Sequence, residues 1–446
     1  MPTPVLGLIG TGDFSTNQRP KNWREKILHL FPNGMSPLTG ILSKLPSEKT
    51  DDPEVNWFQK GFPDQGGALS NSGVYIDSAL STPYVYATHQ ATRGVQDAVV
   101  YVNVTEAISG EFREGHHVLL RDTTDEQNDV IARVVAVNAN GGSSYIACKL
   151  QEDDDNGVTP ANNNLATSDR ILNMTNTNAE GSGMPDAITY QPDELYNYCP
   201  IIKTPLSITE TARKTRLRTE DALKEARREC LMLHGIAIER ALFYSERREW
   251  TGDNGKPERS LRGIDRWIRS DANAVTSNYR LETDTNYSGK TWLAAGEHWF
   301  DTHLEEIIRW NDSKELLGIA GSGALLGINR LAKFTGQINL EPTTIEYGLK
   351  VTRWHTAFGT TVNIITHPLF SFDPIDRHRM FIFDPKRLKW RALRDTMYLQ
   401  DVKGEKQTGN ATVDALNEMY LTEATLELHH ARSFARLDGV GQDNAN

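Results

Sequence analysis

The residues best equipped for chemistry in this chain are scattered rather than gathered. Gly7-Leu8-Ile9-Gly10-Thr11-Gly12 carries the glycines of a phosphate-binding loop. No strand precedes it and no helix opens from it, and such a loop needs both. Glu152-Asp153-Asp154-Asp155-Asn156-Gly157 concentrates hard oxygen ligands that suit Ca²⁺. The distal glutamate of a calcium helix–loop–helix is missing, so a solvated charged loop is the stronger reading and Ca²⁺ the weaker one. His116-His117 and His429-His430 fall in strand-like stretches. Neighbouring side chains of a strand face opposite ways, so neither pair chelates as a unit. His298 and His303 share a helical stretch, but a five-residue step turns them about 140° apart, a poor arrangement for one metal. The cysteines, Cys148, Cys199 and Cys230, are odd in number and form no CxxC. That fits a reducing place of synthesis and argues against a disulfide scaffold or a zinc finger. Cys230 reads as a small buried hydrophobe. HExxH and GxSxG are absent. No catalytic, cofactor-binding or metal-binding residue is assigned, no cofactor is implied, and the chain is not expected to be an enzyme.

Composition sets further bounds. The chain has 446 residues, 38% hydrophobic and 24% charged, which is enough to build a core and fits two to four units of about 150 residues. No apolar run approaches the roughly 18 residues needed to span a bilayer. The stretch Met1–Phe14 lacks a basic n-region and a long apolar h-region, so no signal peptide is expected. A net charge of −11 argues against a protein whose main task is gripping nucleic-acid backbone. The same charge suits a surface that lies beside packed DNA without sticking to it.

The element that organises the chain is Thr219–Glu249. Thr219 is a good N-cap, with Glu220 and Asp221 placing negative charge in the first turn. Leu223, Ala226, Cys230, Leu233, Ala237, Ala241 and Tyr244 follow at steps of three or four and predict one buried helical stripe. Leu231, Ile236, Ile238 and Leu242 widen it. Lys224, Arg227, Arg228 and Glu239 are expected on the outer face. Such a helix is about 46 Å long at 1.5 Å per residue, long enough to span a whole molecule.

Around it the chain reads in blocks. Residues 1–70 form an arm. Pro20–Phe31 has Trp23, Ile27, Leu30 and Phe31 at helical spacing, and Ser36–Leu45 offers a second short helix with Ser36 as N-cap and Pro37 first. Trp23, Phe31, Trp57, Phe58 and Phe62 have no evident core and call for another surface, most simply a neighbouring subunit. Residues 71–200 read as β. Val100, Val102 and Val104 share a face, His116–Asp122 and Asp129–Leu150 supply strands, and a tight turn falls at Asn138–Ser144. A protruding β-arm is expected here, with a small independent β-domain as the competing reading. Strand character returns at Ile201–Ile208. Residues 250–415 look like an α/β unit, with an amphipathic helix at Thr291–Trp310 whose face includes Leu293, Trp299, Ile307 and Trp310. A helix from about Ala324, strands Lys350–Thr356 and Thr360–Thr366, and two more strands around Asp384-Pro385 follow. Met419–Val440 predicts one long terminal strand.

Three stretches carry a family resemblance: Ser207–Glu246 into the long helix, the turn Leu261-Arg262-Gly263-Ile264-Asp265-Arg266-Trp267-Ile268, and the Glu-rich Tyr420–Val440. In this order they resemble the major capsid protein of tailed bacteriophages, the Hong Kong 97-type fold, and in particular the head proteins of some podoviruses and related phages. The resemblance covers roughly residues 35–440. It implies an α+β tailed-phage major capsid fold with an N-terminal arm, an extended β-loop, a long spine helix, a peripheral domain and an axial domain. On that basis residues 1–70 are the arm and 71–200 the extended β-loop with a probable inserted β subdomain and the return to the peripheral domain. Residues 201–250 are the peripheral domain with the spine helix, 251–415 the axial domain, and 416–446 the peripheral-domain terminal strand and tail. The polar excursion at residues 105–185 is longer than a minimal extended loop. The implied function is self-assembly into the icosahedral shell around a double-stranded DNA genome, as hexamers and pentamers. The chain would be made in the host bacterial cytoplasm and reside in the virion. Portal protein, and scaffolding or decoration proteins, are the implied partners, packaged DNA is touched non-specifically at the inner face, and no membrane is involved. An encapsulin-like nanocompartment shell, and an enzyme or carbohydrate-binding protein with an inserted β-domain, are the alternatives.

Overall fold

Period-two and period-3.6 apolar patterns separate into sheets and helices much as the sequence leads one to expect. The structure is a computed structural model that describes residues 37–42, 47–124, 129–154, 164–215, 221–334, 340–346, 349–356, 358–400 and 415–446. The chain divides into two units, Lys60–Asp193 and the chain on either side of it.

Lys60–Asp193 is built on a seven-stranded antiparallel sheet. Its spatial order is Gly66–Ala68, Arg170–Asn176, His116–Arg121, Asp129–Asn138, Tyr145–Leu150, Val99–Asn103 and Val74–Tyr75. Val118 stands opposite Ala132 and Leu120 opposite Val130. Because alternate residues share a face, these pairs join Val100, Val102, Val104, Val134 and Ile146 in one buried cluster. This stretch therefore has a core of its own, where a bare protruding hairpin would have none. The turn expected at Asn138–Ser144 is a 3₁₀ turn at Gly141–Ser143, with Gly141 at φ +52°. Arg170–Asn176 is a strand whose Ile171 supplies the sheet with one more fully buried side chain.

Among the described residues the other unit holds two larger sheets beside two-stranded ones. A four-stranded sheet has the order Glu48–Lys49, Leu388–Leu399, Ala415–Leu428, Ile201–Thr209. A seven-stranded mixed sheet has the order Val275–Asn278, Ala435–Asp438, Met380–Phe383, Glu315–Ala320, Thr361–Thr366, Leu349–His355, Leu340–Glu346. The single terminal strand expected over Met419–Val440 is thus two strands in two sheets. The break falls where His430 takes a left-handed conformation, φ +54°, ahead of a 3₁₀ turn at Ala431–Ser433. The helix expected at Thr291–Trp310 spans Trp292–Arg309 and buries Trp292, Ala295, Trp299, Phe300, Leu304 and Ile307. Leu293, turned about 100° from its neighbour Trp292, lies off that face and is 40% exposed, and Trp310 caps the helix end and is 38% exposed. Trp57, expected to need a foreign surface, is buried against Trp267 at 5.6 Å between ring centroids. Phe58 and Phe62 are exposed as expected. Trp23, Phe31 and Ser36 lie outside the described residues.

The turn Leu261–Ile268 shows why a glycine stands in it. Gly263 donates its N–H to the Ser245 carbonyl at 2.8 Å, just past the end of the long helix. A Cβ there would sit 2.7 Å from the Phe243 carbonyl group and 2.9 Å from the Ala241 oxygen. Buried Asn197 braces the same turn, accepting from Arg262 N–H at 2.7 Å and donating to the Leu426 carbonyl at 2.8 Å. Gly263→Ala is expected to destabilise the chain by about 1–3 kcal/mol through this overpacking, read as a lower denaturant midpoint at unchanged slope.

Candidate functional site

The long helix runs Ala222–Tyr244, shorter at both ends than expected. Asp221 is the cap, its carboxylate accepting from Leu223 N–H at 3.0 Å. Thr219 and Glu220 lie outside the described residues. Beyond Ser245 the chain turns into a hairpin of Arg248–Thr251 and Pro257–Ser260, so Glu249 is not helical. The buried stripe is Cys230, His234, Ile238 and Leu242, flanked by Glu239 and Phe243. Leu233 and Ala237, expected inside, are exposed, while Leu223, Ala226, Ala241 and Tyr244 are half-buried. Glu239, expected outside, is fully buried. The helix is apolar on most sides, so spacing alone leaves its inner face undetermined and the packed partners decide it.

Those partners are Ile201–Thr209 and the terminal strand Ala415–Leu428. Cys230 donates its thiol to the Thr204 carbonyl at 3.3 Å. His234 bridges Thr204 Oγ1 at 2.9 Å and Thr422 Oγ1 at 2.8 Å, and burial lowers its pKa, keeping the ring neutral. Further along, Ile238 and Leu242 join Ala424, Leu426 and Leu428 in one core. At the other end Arg227 grips Glu418 with two bonds, 2.7 Å and 2.5 Å, and the Tyr398 hydroxyl donates to the same carboxylate.

Glu423 and Glu427 stand on the opposite face of the terminal strand, as alternation requires. Arg394 reaches Glu423 at 2.6 Å. Arg391 bonds both Glu427 and Glu48, His429 lies 2.5 Å from Glu427, and Lys389 lies 3.1 Å from Glu48. Glu418, Glu423 and Glu427 are nearly fully buried, whereas Glu48 is partly exposed. The Arg227 bond holds Glu418 below the usual carboxylate range. For Glu427 burial pushes the pKa up, but bonds from His429 and Arg391 outweigh it and hold the group below that range. A carboxylate with a depressed folded pKa contributes stability above its unfolded pKa, near 4.3, and loses it as pH falls through the folded value. The thermal midpoint is therefore expected to fall steeply below about pH 4.5, and Glu418→Gln is expected to lower the midpoint at pH 7 while flattening the acid limb. Calorimetry across pH 3–8 checks both.

The chemistry-bearing residues are occupied structurally and do not converge. Glu152 accepts from Ile131 N–H at 2.7 Å, Asp153 from Gln96 N–H at 2.7 Å, and Asp154 from the Tyr84 hydroxyl at 2.5 Å and Leu165 N–H at 2.8 Å. These carboxylates serve three different places. Asp155, Asn156 and Gly157, like the glycines from Gly7 to Gly12, lie outside the described residues. His116 is buried, and His117 touches Gln151 and Thr177. His298 lies 3.2 Å from the Tyr287 hydroxyl and His303 2.9 Å from Glu306. Among the described residues no group of three or more His, Cys, Asp or Glu is placed to hold a metal. Burial pushes the Cys148 and Cys230 thiols up and that of Cys199 to about 12, far from a reactive thiolate. What the arrangement does is mechanical. It fastens a rigid helix to a long strand.

The family model for the SU10 major capsid protein matches residues 9–441. The chain belongs to this family. It is a bacteriophage major capsid protein, and the family is one of structural proteins of the virion. A major capsid protein of Pseudomonas phage PaMx41 is 22% identical over 379 residues, which cover 81% of this chain and 77% of that one. Among solved structures, the capsid protein is similar to a chain of Mycobacterium phage Bobi, at TM-score 0.44 and 7% identity over 95% of this chain and 96% of the other. It is also similar to the holo-SrpI encapsulin of Synechococcus elongatus PCC 7942, at TM-score 0.36 and 13% identity over 59% of this chain and 79% of the other. Phage-capsid membership over nearly the whole chain makes an encapsulin-like role the weaker reading.

The α+β class, the long helix and the Glu-rich terminal strand were all legible in the sequence. Glu239 and its partner His367 were missed. A glutamate inside Ile238-Glu239-Arg240 carries no local signal of burial, because its partners are 128 or more residues away.

Proposed function

We propose that this major capsid protein self-assembles, as hexamers and pentamers, into the icosahedral shell enclosing a double-stranded DNA genome. The observation that carries the reading is large apolar surface left in water. Phe58, Phe62, Met184, Phe372 and Ile375 are 69%, 77%, 91%, 72% and 71% exposed. Apolar side chains left this exposed are candidates for burial against a partner, and in a capsid family the nearest partner is another copy. Copies related by closing rotations form a bounded shell rather than a filament.

In this reading residues 1–70 are the arm that clasps a neighbour, 71–200 the extended loop with its inserted β subdomain, 201–250 and 416–446 the peripheral domain, and 251–415 the axial domain. Leu388–Leu399 is then shared ground, since it pairs with the terminal strand. The long helix serves as a beam that keeps subunit shape under the pressure of packed DNA. Portal protein, and scaffolding or decoration proteins, are its further partners, the inner face touches DNA without sequence preference, and the chain acts without catalysis. It is made in the host bacterial cytoplasm. Sizing with light scattering is expected to show capsomers or shells; a stable monomer at high concentration contradicts the reading. Deleting residues 1–34 is expected to abolish particles while leaving the fold intact, and an unchanged particle yield removes the clasp.

A further inference from the structure

The fully buried Glu239 is the least expected charge on the long helix, and four groups among the described residues offset it. Its Oε1 accepts from Leu38 N–H at 2.8 Å and its Oε2 from Thr39 N–H at 2.9 Å, and the Thr39 hydroxyl donates to Oε2 as well. His367 Nε2 completes the set at 3.0 Å from Oε1. Both ionisable side chains are fully inaccessible. The other ring nitrogen of His367 accepts from Leu369 N–H at 3.2 Å, so the proton sits on Nε2 and points at Glu239. Phe370 stacks on the imidazole at 4.3 Å and Phe243 meets it edge-on at 5.5 Å, fixing its plane.

The pair thus joins three pieces of chain: the long helix, the segment after strand Thr361–Thr366, and Pro37–Leu42. Leu38, Ile41 and Leu42 cover the site and are themselves buried. Without that segment the carboxylate would lose two backbone donors and a hydroxyl, keeping His367 as its partner among the described residues. A buried carboxylate left so poorly bonded is strongly disfavoured, so site and segment stabilise each other.

We propose that Glu239, oriented by His367, is the anchoring residue of the N-terminal arm, and that losing the function of either side chain releases residues 37–42 as a unit. Glu239 reads two backbone N–H groups and the Thr39 hydroxyl, so the anchor fixes the turn Pro37–Leu42 on the long helix. Among the described residues His367 bonds no arm residue, and it acts by keeping Glu239 turned toward the arm. This deepens the assembly reading by naming what fixes the arm's point of departure. The contact lies within one chain, however, so it is tested on unassembled protein and stands or falls separately from shell formation.

The test is amide hydrogen exchange on the full-length, unassembled chain. Two bonds to a charged acceptor protect Leu38 and Thr39, and Glu239→Gln is expected to cut that protection on the order of 100-fold. Protection in Trp292–Arg309 should stay unchanged. His367→Leu should release the arm in the same way, whereas His367→Gln, which keeps a donor for Glu239, should retain it. Thr39→Val, a mild change at a half-buried position, should lower protection of Pro37–Leu42 about tenfold and keeps the idea testable if the buried variants unfold. Full protection in Glu239→Gln, unchanged protection in Thr39→Val, or equal loss in His367→Leu and His367→Gln would each overturn the proposal.

Discussion

Arg436→Met is expected to destabilise the chain by roughly 3–5 kcal/mol, the range for removing one partner of a buried ion pair. Arg436 lies in the strand Ala435–Asp438 and bonds Asp265 at 2.6 Å and Asp438 at 2.7 Å. Asp265 sits on the helix Ile264–Ser270 and is only 4% exposed. Asp265 also pairs with Arg269, which is 3.2 Å away and partly exposed. Asp438 is shared with Arg379 at 2.6 Å, and Arg379 also bonds Asp376. Methionine fills the space of the arginine stem but leaves Asp265 as a buried, under-paired carboxylate. The double variant Arg436→Met/Asp265→Leu removes the stranded charge and should recover most of the loss. Urea unfolding of the two singles and the double measures the coupling; simple additivity would show that the pair does not hold this junction.

Trp299→Ala is expected to cost about 3–5 kcal/mol. The side chain is fully buried, its indole N–H donates to Ser277 Oγ at 3.0 Å, and its ring meets Tyr279, Trp292 and His303 at centroid distances of 5.5, 5.9 and 4.9 Å. Alanine leaves a cavity and removes the indole donor from the Ser277 oxygen in the strand Val275–Asn278, while the Ser277 hydroxyl keeps its bond to Glu282. Trp299→Phe retains most of the ring packing and should lose clearly less. Thermal unfolding distinguishes them, and equal midpoints for the two variants would mean that the helix Trp292–Arg309 is not fastened to its sheet through this residue.

Much of this architecture was legible because periodicity survives folding. Val100, Val102 and Val104 alternated in sequence and are buried together. Trp299 and Ile307 shared a helical stripe and face the core. The failures have a common physical cause. Leu233 and Glu239 exchanged places because the long helix offers apolar surface on most sides, so distant chain chose its inner face. His430 broke the expected terminal strand through a backbone conformation that residue type signals only weakly. Trp57 looked stranded because Trp267, its partner, lies far along the chain. The long-range ion pairs, Arg227 with Glu418 and Arg391 with Glu48 and Glu427, have no local signature at all.

The central claim is that copies of this chain close into a shell. Electron microscopy of the purified, full-length protein tests it most directly. The account predicts closed particles with five- and six-fold capsomers. A field of dispersed monomers at concentrations where other capsid proteins assemble, with the fold intact by circular dichroism, would contradict it.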